Sequence, residues 1–370
     1  MDANTTIPKL ARALIPGIGA NIARALMARC ATAGDIFKLN RHDLLAIPGI
    51  GNLLAGRLLN CDTFKRAEEE ISYLEKERLS CHFLFDADYP PLLAQCPDAP
   101  IVFFCRGDLP DPDSRLLSVV GTRNPSTRGK QITRELILGL AEKGYKVVIT
   151  SGLAYGIDIQ AHLAALEAGY KTIAVLGHGF HTLYPAVHRQ AAVRIIGQGA
   201  LISDFFSHNT PDPKNFIRRN RIIAGLSEAT LVIESGIKGG ALVTAEMANS
   251  YDRDVMVVPG RPEDLMSKGC NYLIRTNQGS LVETAADIEY LLGWGQGPAK
   301  LNYPEPMLFQ QLDPEELIVY GLLSGPPLSI DQICRLAELP VQRISFLLLS
   351  LEFKGLISAA PGKLYQSCQL

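Results

Sequence analysis

Leu116-Leu117-Ser118-Val119-Val120-Gly121-Thr122-Arg123-Asn124-Pro125 is the stretch on which the fold turns. Leu116–Val120 has buried-strand character and runs into a glycine, a threonine and an arginine. The spacing that follows predicts a helix over Gly129–Lys143. A parallel strand that ends in Gly and opens onto a helix places a ligand in the crevice beyond its carboxyl end. The glycine lets backbone approach a ligand, and the helix N-terminus offers N–H groups to an anion. Arg123 stands in that crevice with Arg128 and Lys130 beyond it, so an anionic ligand is expected.

Working outward, apolar runs at Lys146–Thr150, Thr172–Leu176, Leu201–Ser203, Thr230–Glu234 and Val255–Val258 read as further strands. Helical spacing lies between them, near Ile157–Ala168, His188–Gly197, Ile222–Leu226 and Ala241–Ser250. This alternation predicts an α/β domain over 113–295 with an extended Rossmann-like, mostly parallel sheet. Gly121-Thr122-Arg123-Asn124-Pro125-Ser126 fails the G-x-G-x-x-G fingerprint, and no G-x-x-x-x-G-K-[ST] is present, which disfavours a nicotinamide enzyme and a P-loop NTPase.

At 370 residues, with 47% hydrophobic and 20% charged residues, the chain reads as soluble, globular and multidomain. No apolar run is long enough for a membrane span, and no signal peptide is expected. Eight scattered cysteines without a CxxC pair point to reduced thiols in the cytoplasm, not a disulfide framework or a zinc site. Neither metal nor cofactor is expected. The net charge of −2 confines any nucleic-acid surface to a local patch.

Glycine and small polar residues gather where strands should end. Ser151-Gly152-Leu153-Ala154-Tyr155-Gly156 follows the second strand, with Ser151 read as a phosphate donor. Gly177-His178-Gly179 and then Tyr184-Pro185 follow the third, Gly239-Gly240 the fifth, and Pro259-Gly260 with Lys268-Gly269-Cys270-Asn271 the sixth. Together they predict a groove lined by backbone N–H groups. The strongest chemical cue is Lys214-Asn215-Phe216-Ile217-Arg218-Arg219-Asn220-Arg221: four basic residues, no acid, and an aromatic among them. Cations that track a backbone, with a ring for base stacking, suit single-stranded nucleic acid. Arg218, Arg219 and Arg221 precede the apolar Ile222-Ile223-Ala224, so some are expected to be partly buried, needing an anion or a carboxylate such as Asp158, Asp204 or Glu234. No histidine or serine has the neighbours of a catalytic group.

Residues 1–112 read as a helical domain plus connector. Ile15-Pro16-Gly17-Ile18-Gly19 recurs 32 residues later as Ile47-Pro48-Gly49-Ile50-Gly51, each copy between helical stretches. This resembles a helix-hairpin-helix, whose glycines either meet a phosphate or simply turn the chain; 11 Lys/Arg against 9 Asp/Glu in residues 1–80 (11 − 9 = +2) is a weak field. Leu79–Phe85 and Ile101–Cys105 read as strands, and Leu109-Pro110-Asp111-Pro112-Asp113 as the domain boundary. Gly293-Trp294-Gly295-Gln296-Gly297-Pro298 reads as a second linker. Three helices and a hairpin around Pro361-Gly362 then predict a winged helix over 305–370. That region holds 4 Lys/Arg against 7 Asp/Glu (4 − 7 = −3), and its third helix carries one basic residue, Arg343. Phosphate attraction supplies non-specific DNA affinity, so a protein- or self-contact domain is expected instead of a duplex reader.

The motifs in their order identify a family. Gly121-Thr122-Arg123, Ser151-Gly152-x-Ala154-x-Gly156-Ile157-Asp158, Tyr184-Pro185, Arg219-Asn220-Arg221-Ile222-Ile223-Ala224-Gly225-Leu226-Ser227, Gly240-Ala241-Leu242-x-Thr244-Ala245, Val258-Pro259-Gly260 and Gly269-x-Asn271-x-Leu273-Ile274 closely resemble the DNA-processing protein A (DprA, or Smf) family over about 80–295. The resemblance implies a non-enzymatic protein that binds and protects single-stranded DNA in natural transformation, loads the RecA recombinase on it, and forms a homodimer through this domain. It implies Arg123 as the phosphate-binding arginine, with Lys214 and Phe216 supplying a cation and a stacking ring. Departures from the usual pattern include Ser203-Asp204, Phe216-Ile217 and Ala186 after Tyr184-Pro185. The competing enzyme reading is a nucleoside-monophosphate phosphoribohydrolase of the lysine-decarboxylase-like type, with a Pro-Gly-Gly-x-Gly-Thr-x-x-Glu motif. Gly239-Gly240-Ala241-Leu242-Val243-Thr244-Ala245-Glu246 is similar but lacks the second-half glycine and the preceding proline.

Overall fold

The computed structural model describes residues 3–294 and 312–367, apart from 324, 326, 327, 355 and 361–363. The chain divides into two compact units, Met1–Gly295 and Gln296–Leu370.

The first unit opens with helices α1 (Ala3–Leu14), α2 (Ala20–Met27), α3 (Arg41–Leu45), α4 (Asn52–Leu59) and α5 (Phe64–Glu77). Gly17 and Gly49 turn the two repeats with φ of +98° and +85°, a region that favours glycine. A Cβ on Gly49 would lie 2.8 Å from Ile22 Cδ1, and one on Gly17 3.3 Å from Arg57 Nη1. Each repeat's second helix therefore packs on the other's hairpin. Ile15, Ile18, Ile47 and Ile50 are all buried, so the repeated isoleucines build a core.

The chain continues through β1 (Ser80–Phe83), α6 (Pro91–Gln95), β2 (Val102–Gly107), β3 (Arg115–Gly121), α7 (Thr127–Glu142), β4 (Val147–Ser151), α8 (Ile157–Glu167), β5 (Thr172–Val175), α9 (Arg189–Gln198) and β6 (Ala200–Ser203). Then follow α10 (Pro213–Leu226), β7 (Ala229–Ile233), α11 (Gly240–Ser250), β8 (Asp254–Val257), α12 (Lys268–Arg275), β9 (Ser280–Leu281) and α13 (Ala285–Leu291). Nine strands form one sheet in the order β1-β2-β6-β5-β4-β3-β7-β8-β9. β3 through β9 are mutually parallel; β2 joins β6 antiparallel, and β1 joins β2 likewise.

β3 is the centre. Leu117 and Val119 point to one cluster with Leu136, Ile137 and Leu140 of α7 and Ile157 and Ala161 of α8, while Leu116 and Val120 point to another with Ile222 and Ile223 of α10 and Leu242 of α11. The period-2 alternation thus covers both faces with helices. From β3 the chain steps out through β4, β5 and β6, and α10 then brings it back to β7 on the other side. The strand order reverses beside β3, which is where α/β sheets form their crevice.

Three expectations are corrected. The sheet reaches back across the Pro/Asp-rich segment at 109–113, because β1 and β2 find pairing partners only in the sheet's open edge at β6; they are sheet, not connector. Trp294 is not linker: it is buried, lies 5.7 Å from the Tyr145 ring and 5.2 Å from the Arg115 guanidinium, and donates to Glu228. The rest of that stretch, 295–298, lies outside the described residues. The helix expected near Ile222–Leu226 begins earlier and takes in the basic run; Asp212 accepts from the Lys214 N–H at 2.8 Å and Pro213 starts the first turn, so α10 runs from Pro213.

The second unit contains α14 (Pro314–Leu322), β10 (Leu328–Ser329), α15 (Ile330–Ala337), α16 (Val341–Phe353), β11 (Ile357–Ala360) and β12 (Leu364–Ser367). The strands pair in the order β10-β12-β11, against a core of Val319, Ile333, Ile344, Leu347, Leu348 and Leu351. This is the expected winged helix, although the Pro361-Gly362 turn lies outside the described residues. Arg343 of α16 is bound to Glu315 at 2.6 Å, while Phe346 and Leu349 of the same helix are exposed. No helix among the described residues is long and apolar enough to cross a membrane.

Candidate nucleic-acid interface

The carboxyl end of β3 is built by close packing. A Cβ on Gly121 would lie 2.6 Å from Ile157 Cγ1, so this glycine lets α8 approach the strand and does not open backbone to a ligand. Gly156 has φ +86°, and a Cβ there would lie 2.6 Å from Arg123 Cα. The Ile157 N–H donates to Thr122 O at 3.1 Å. The start of α8 thus supports the Thr122–Arg123 peptide from below. Arg123 is exposed and makes no ion pair among the described residues. Its guanidinium lies 5.9 Å from the centre of the Phe216 ring.

Because α10 is helical, its cations separate onto different faces. Phe216, Arg219 and Ile223 lie three and four residues apart on the side turned to the sheet. Phe216 rests on Gly177, where a Cβ would come within 2.7 Å of the ring, and sits 5.5 Å from the Tyr184 ring. Arg123, Tyr155, Tyr184, Pro185 and Phe216, with Gly152 and Ala154, line one small surface pocket. Lys214 is exposed half a turn before Phe216. Tyr155 and Tyr184 are 45% and 44% exposed; Tyr184 is legible in the sequence as part of the Tyr184-Pro185 motif, whereas the only signal for Tyr155 as a contact is its place in a glycine loop.

The remaining arginines behave differently. Arg219 is 3% exposed and donates to Val175 O. Burial lowers its pKa to about 10, and the nearby Asp158 opposes that shift. Asp158 is buried as well: desolvation raises its pKa, and Arg219 and the Ala154 and Gly152 N–H groups counter it. Gly152 leaves room for this arginine, since a Cβ would lie 2.5 Å from Arg219 Cζ. Arg221 is bound to Asp204 and to Asp98 O. Arg218 stays largely exposed, 3.7 Å from Asp204 and 5.4 Å from the Phe205 ring.

Several residues read from the sequence as ligand contacts are therefore internal. Ser151 donates to Val119 O at 2.6 Å and is fully buried. Gly152 and Ala154 turn their N–H groups to Asp158, and Arg219 and Arg221 answer carbonyls and carboxylates of their own chain, because desolvated charges require partners. Asn271 clamps Gly260, accepting from its N–H at 3.2 Å and donating to its carbonyl at 2.9 Å. Gly239 makes room for Ser235 Oγ, while Gly240 is open at the start of α11. Lys268 is exposed at the start of α12, and Asn220 is half-buried on α10.

The α7 N-terminus is also occupied. Ser126 Oγ accepts from the Gly129 N–H at 3.0 Å, and the Glu234 carboxylate accepts from the Ser126 N–H at 2.8 Å and from its hydroxyl. A side chain from the end of β7 thus stands at this helix start, bound to the capping residue Ser126, while the Gly129 N–H is met by Ser126 itself. Among the described residues no cluster of three or more His, Cys, Asp or Glu could hold a metal.

Buried histidines surround this framework. His162 shares a hydrogen bond with Thr172 Oγ1 at 2.7 Å, and burial, helped by Arg219, lowers its pKa to about 3. The unfolded chain takes up a proton here below about pH 6.5 while the folded chain does not. This group's contribution is intact above that pH and falls as pH drops toward 3, at about 1.4 kcal/mol per unit. Urea unfolding of wild type and His162→Gln at pH 7 and 5 checks it: the variant is expected to lose about one proton's worth of pH slope.

The chain is a Rossmann-like α/β protein with a cationic and aromatic edge, together with a helix-hairpin-helix region and a winged helix. Residues 80–293 match the DNA recombination-mediator protein A family, residues 304–363 the DprA winged helix domain, and residues 9–61 the SAM-like helix-hairpin-helix tandem. The chain belongs to the DprA/Smf family. It is 31% identical to Protein Smf of Synechocystis sp., over 96% of this chain and 97% of that one. It is 36% identical to DNA processing protein DprA of Streptococcus pneumoniae, over 59% of this chain and 76% of that one. The crystal structure of the Streptococcus pneumoniae protein aligns with a TM-score of 0.61 at 30% identity, over 78% of this chain and 97% of that one. A structure of DNA processing protein A from Helicobacter pylori, described for its single-stranded DNA binding mode, aligns with a TM-score of 0.52 at 26% identity, over 59% and 97%.

Proposed function

We propose that this protein binds single-stranded DNA without catalysis along the edge where Arg123, Tyr184 and Lys214 are exposed beside the half-buried Phe216 ring. The observation that carries the reading is Arg123: an exposed guanidinium with no carboxylate partner among the described residues, held beside a ring already supported from beneath. A phosphate meets Arg123 and a base stacks on the aromatic surface, an arrangement that tolerates any sequence. Arg218, Gly240 and Lys268 extend the basic edge. The relative from Helicobacter pylori, described as binding single-stranded DNA, supports the assignment.

In this reading the protein protects incoming strands in the cytoplasm during natural transformation, loads the RecA recombinase on them, and dimerises through the sheet-containing unit. The phosphoribohydrolase alternative is opposed by Glu234, which fills the helix N-terminus where a mononucleotide phosphate would sit. Fluorescence anisotropy with a 5′-labelled oligonucleotide, single-stranded and then annealed to its complement, is the test. Single strands are expected to bind at least tenfold more tightly, with affinity falling steeply as salt rises. Equal affinity for duplex, or free base released from a nucleoside monophosphate, would overturn the reading.

A further inference from the structure

Glu234 stands at the carboxyl end of β7, where the strand order reverses, and has φ +51°. A left-handed conformation is unfavourable for a non-glycine residue, and here it accompanies two sets of contacts. Its backbone carbonyl accepts from the Thr122 N–H at 2.7 Å. Its carboxylate accepts from the Ser126 N–H and hydroxyl. One residue thereby clamps both ends of the Thr122–Ser126 segment, and Arg123 lies between the clamps. Gly129 completes the fit, since a Cβ there would lie 2.5 Å from the Glu234 carboxyl carbon. The chain's own carboxylate thus stands at the start of a 16-residue helix, a place that attracts anions, held by the capping residue Ser126 and against Gly129.

We infer that Glu234 is a positioning residue: a built-in anion that occupies the phosphate seat of the Rossmann-like crevice and fixes the loop that aims Arg123 outward. Ligand phosphate is thereby displaced from the α7 N-terminus to the Arg123 side chain. A strand whose phosphates repeat can be held there, while a single nucleotide finds the enclosed seat taken. The inference rests on the reading of Arg123 as a DNA contact.

The test is chemical rescue. Glu234→Gly relieves the left-handed strain and removes the carboxylate, leaving a hole beside the Ser126 N–H and hydroxyl. Its affinity for single-stranded DNA is expected to fall about tenfold, and sodium acetate, at ionic strength matched with chloride, to restore most of the loss while leaving wild type unchanged. Gly129→Ala, a change that favours helix, displaces the carboxylate without removing it; the same loss is expected, without acetate rescue. Wild-type affinity in both folded variants, or a loss in Glu234→Gly that acetate does not recover, overturns the inference. Arg123→Ala in the same assay separates the two levels. If it binds as wild type, the DNA reading itself fails; if it is weakened while the Glu234 and Gly129 variants are not, only the positioning role fails.

Discussion

Arg219→Met is expected to lower the stability of the first unit by about 3–5 kcal/mol, the range for leaving a buried charge without its compensating partner. The arginine is 3% exposed and faces a buried Asp158. Removing it leaves that carboxylate without its main countercharge and Val175 O without a donor, and opens space beneath Gly152. The pH dependence identifies the cause. Asp158 already has a raised pKa, and losing Arg219 raises it further. A carboxylate whose folded pKa lies above its unfolded value destabilises the fold at neutral pH and is relieved as pH falls and it protonates. The variant's deficit in urea unfolding is therefore expected to shrink on acidification. Unchanged stability with lost DNA affinity would instead mean that Arg219 reaches the ligand.

The second large effect concerns binding. Combining Arg123→Ala with Phe216→Ala is expected to cost about 2–4 kcal/mol of single-strand affinity, roughly 30- to 700-fold, given about 1–3 kcal/mol per stacked base plus one phosphate contact. Loss of that contact should make the salt slope shallower by about 0.7. The guanidinium lies 5.9 Å from the ring, within cation–π reach, so the two effects should be coupled: Arg123→Ala costs less once Phe216 is gone. Anisotropy titrations of both single variants and the double at several salt concentrations measure this. A double variant with wild-type affinity and slope removes Arg123 and Phe216 from the binding surface.

Particular residues show how far the sequence could be read. Leu116–Val120 was legible as a buried strand because both its faces are apolar, and the later strands were legible for the same reason. β1 and β2 were visible as short strands but not as members of the sheet, because pairing with β6 is a long-range matter that no local pattern records. Trp294 looked like linker because glycines flank it, yet its indole finds Tyr145 and Arg115 far away in the chain.

The sequence by itself determined the period-2 strands, the helices between them, the hairpin glycines and the supply of cations and rings. Those follow from local backbone preference and from which residues leave water. Only the tertiary structure decided which cations are available. Arg123, Arg219 and Arg221 carry the same charge, and composition cannot separate them. Helical phase and the placement of Asp158, Asp204 and Glu234, each distant in sequence, turn Arg219 inward near one carboxylate, bind Arg221 to another and set the third at the start of α7, leaving Arg123 exposed beside Phe216. A charge is available to a ligand only where the fold supplies it no other partner, and that is settled by contacts between segments far apart in the chain.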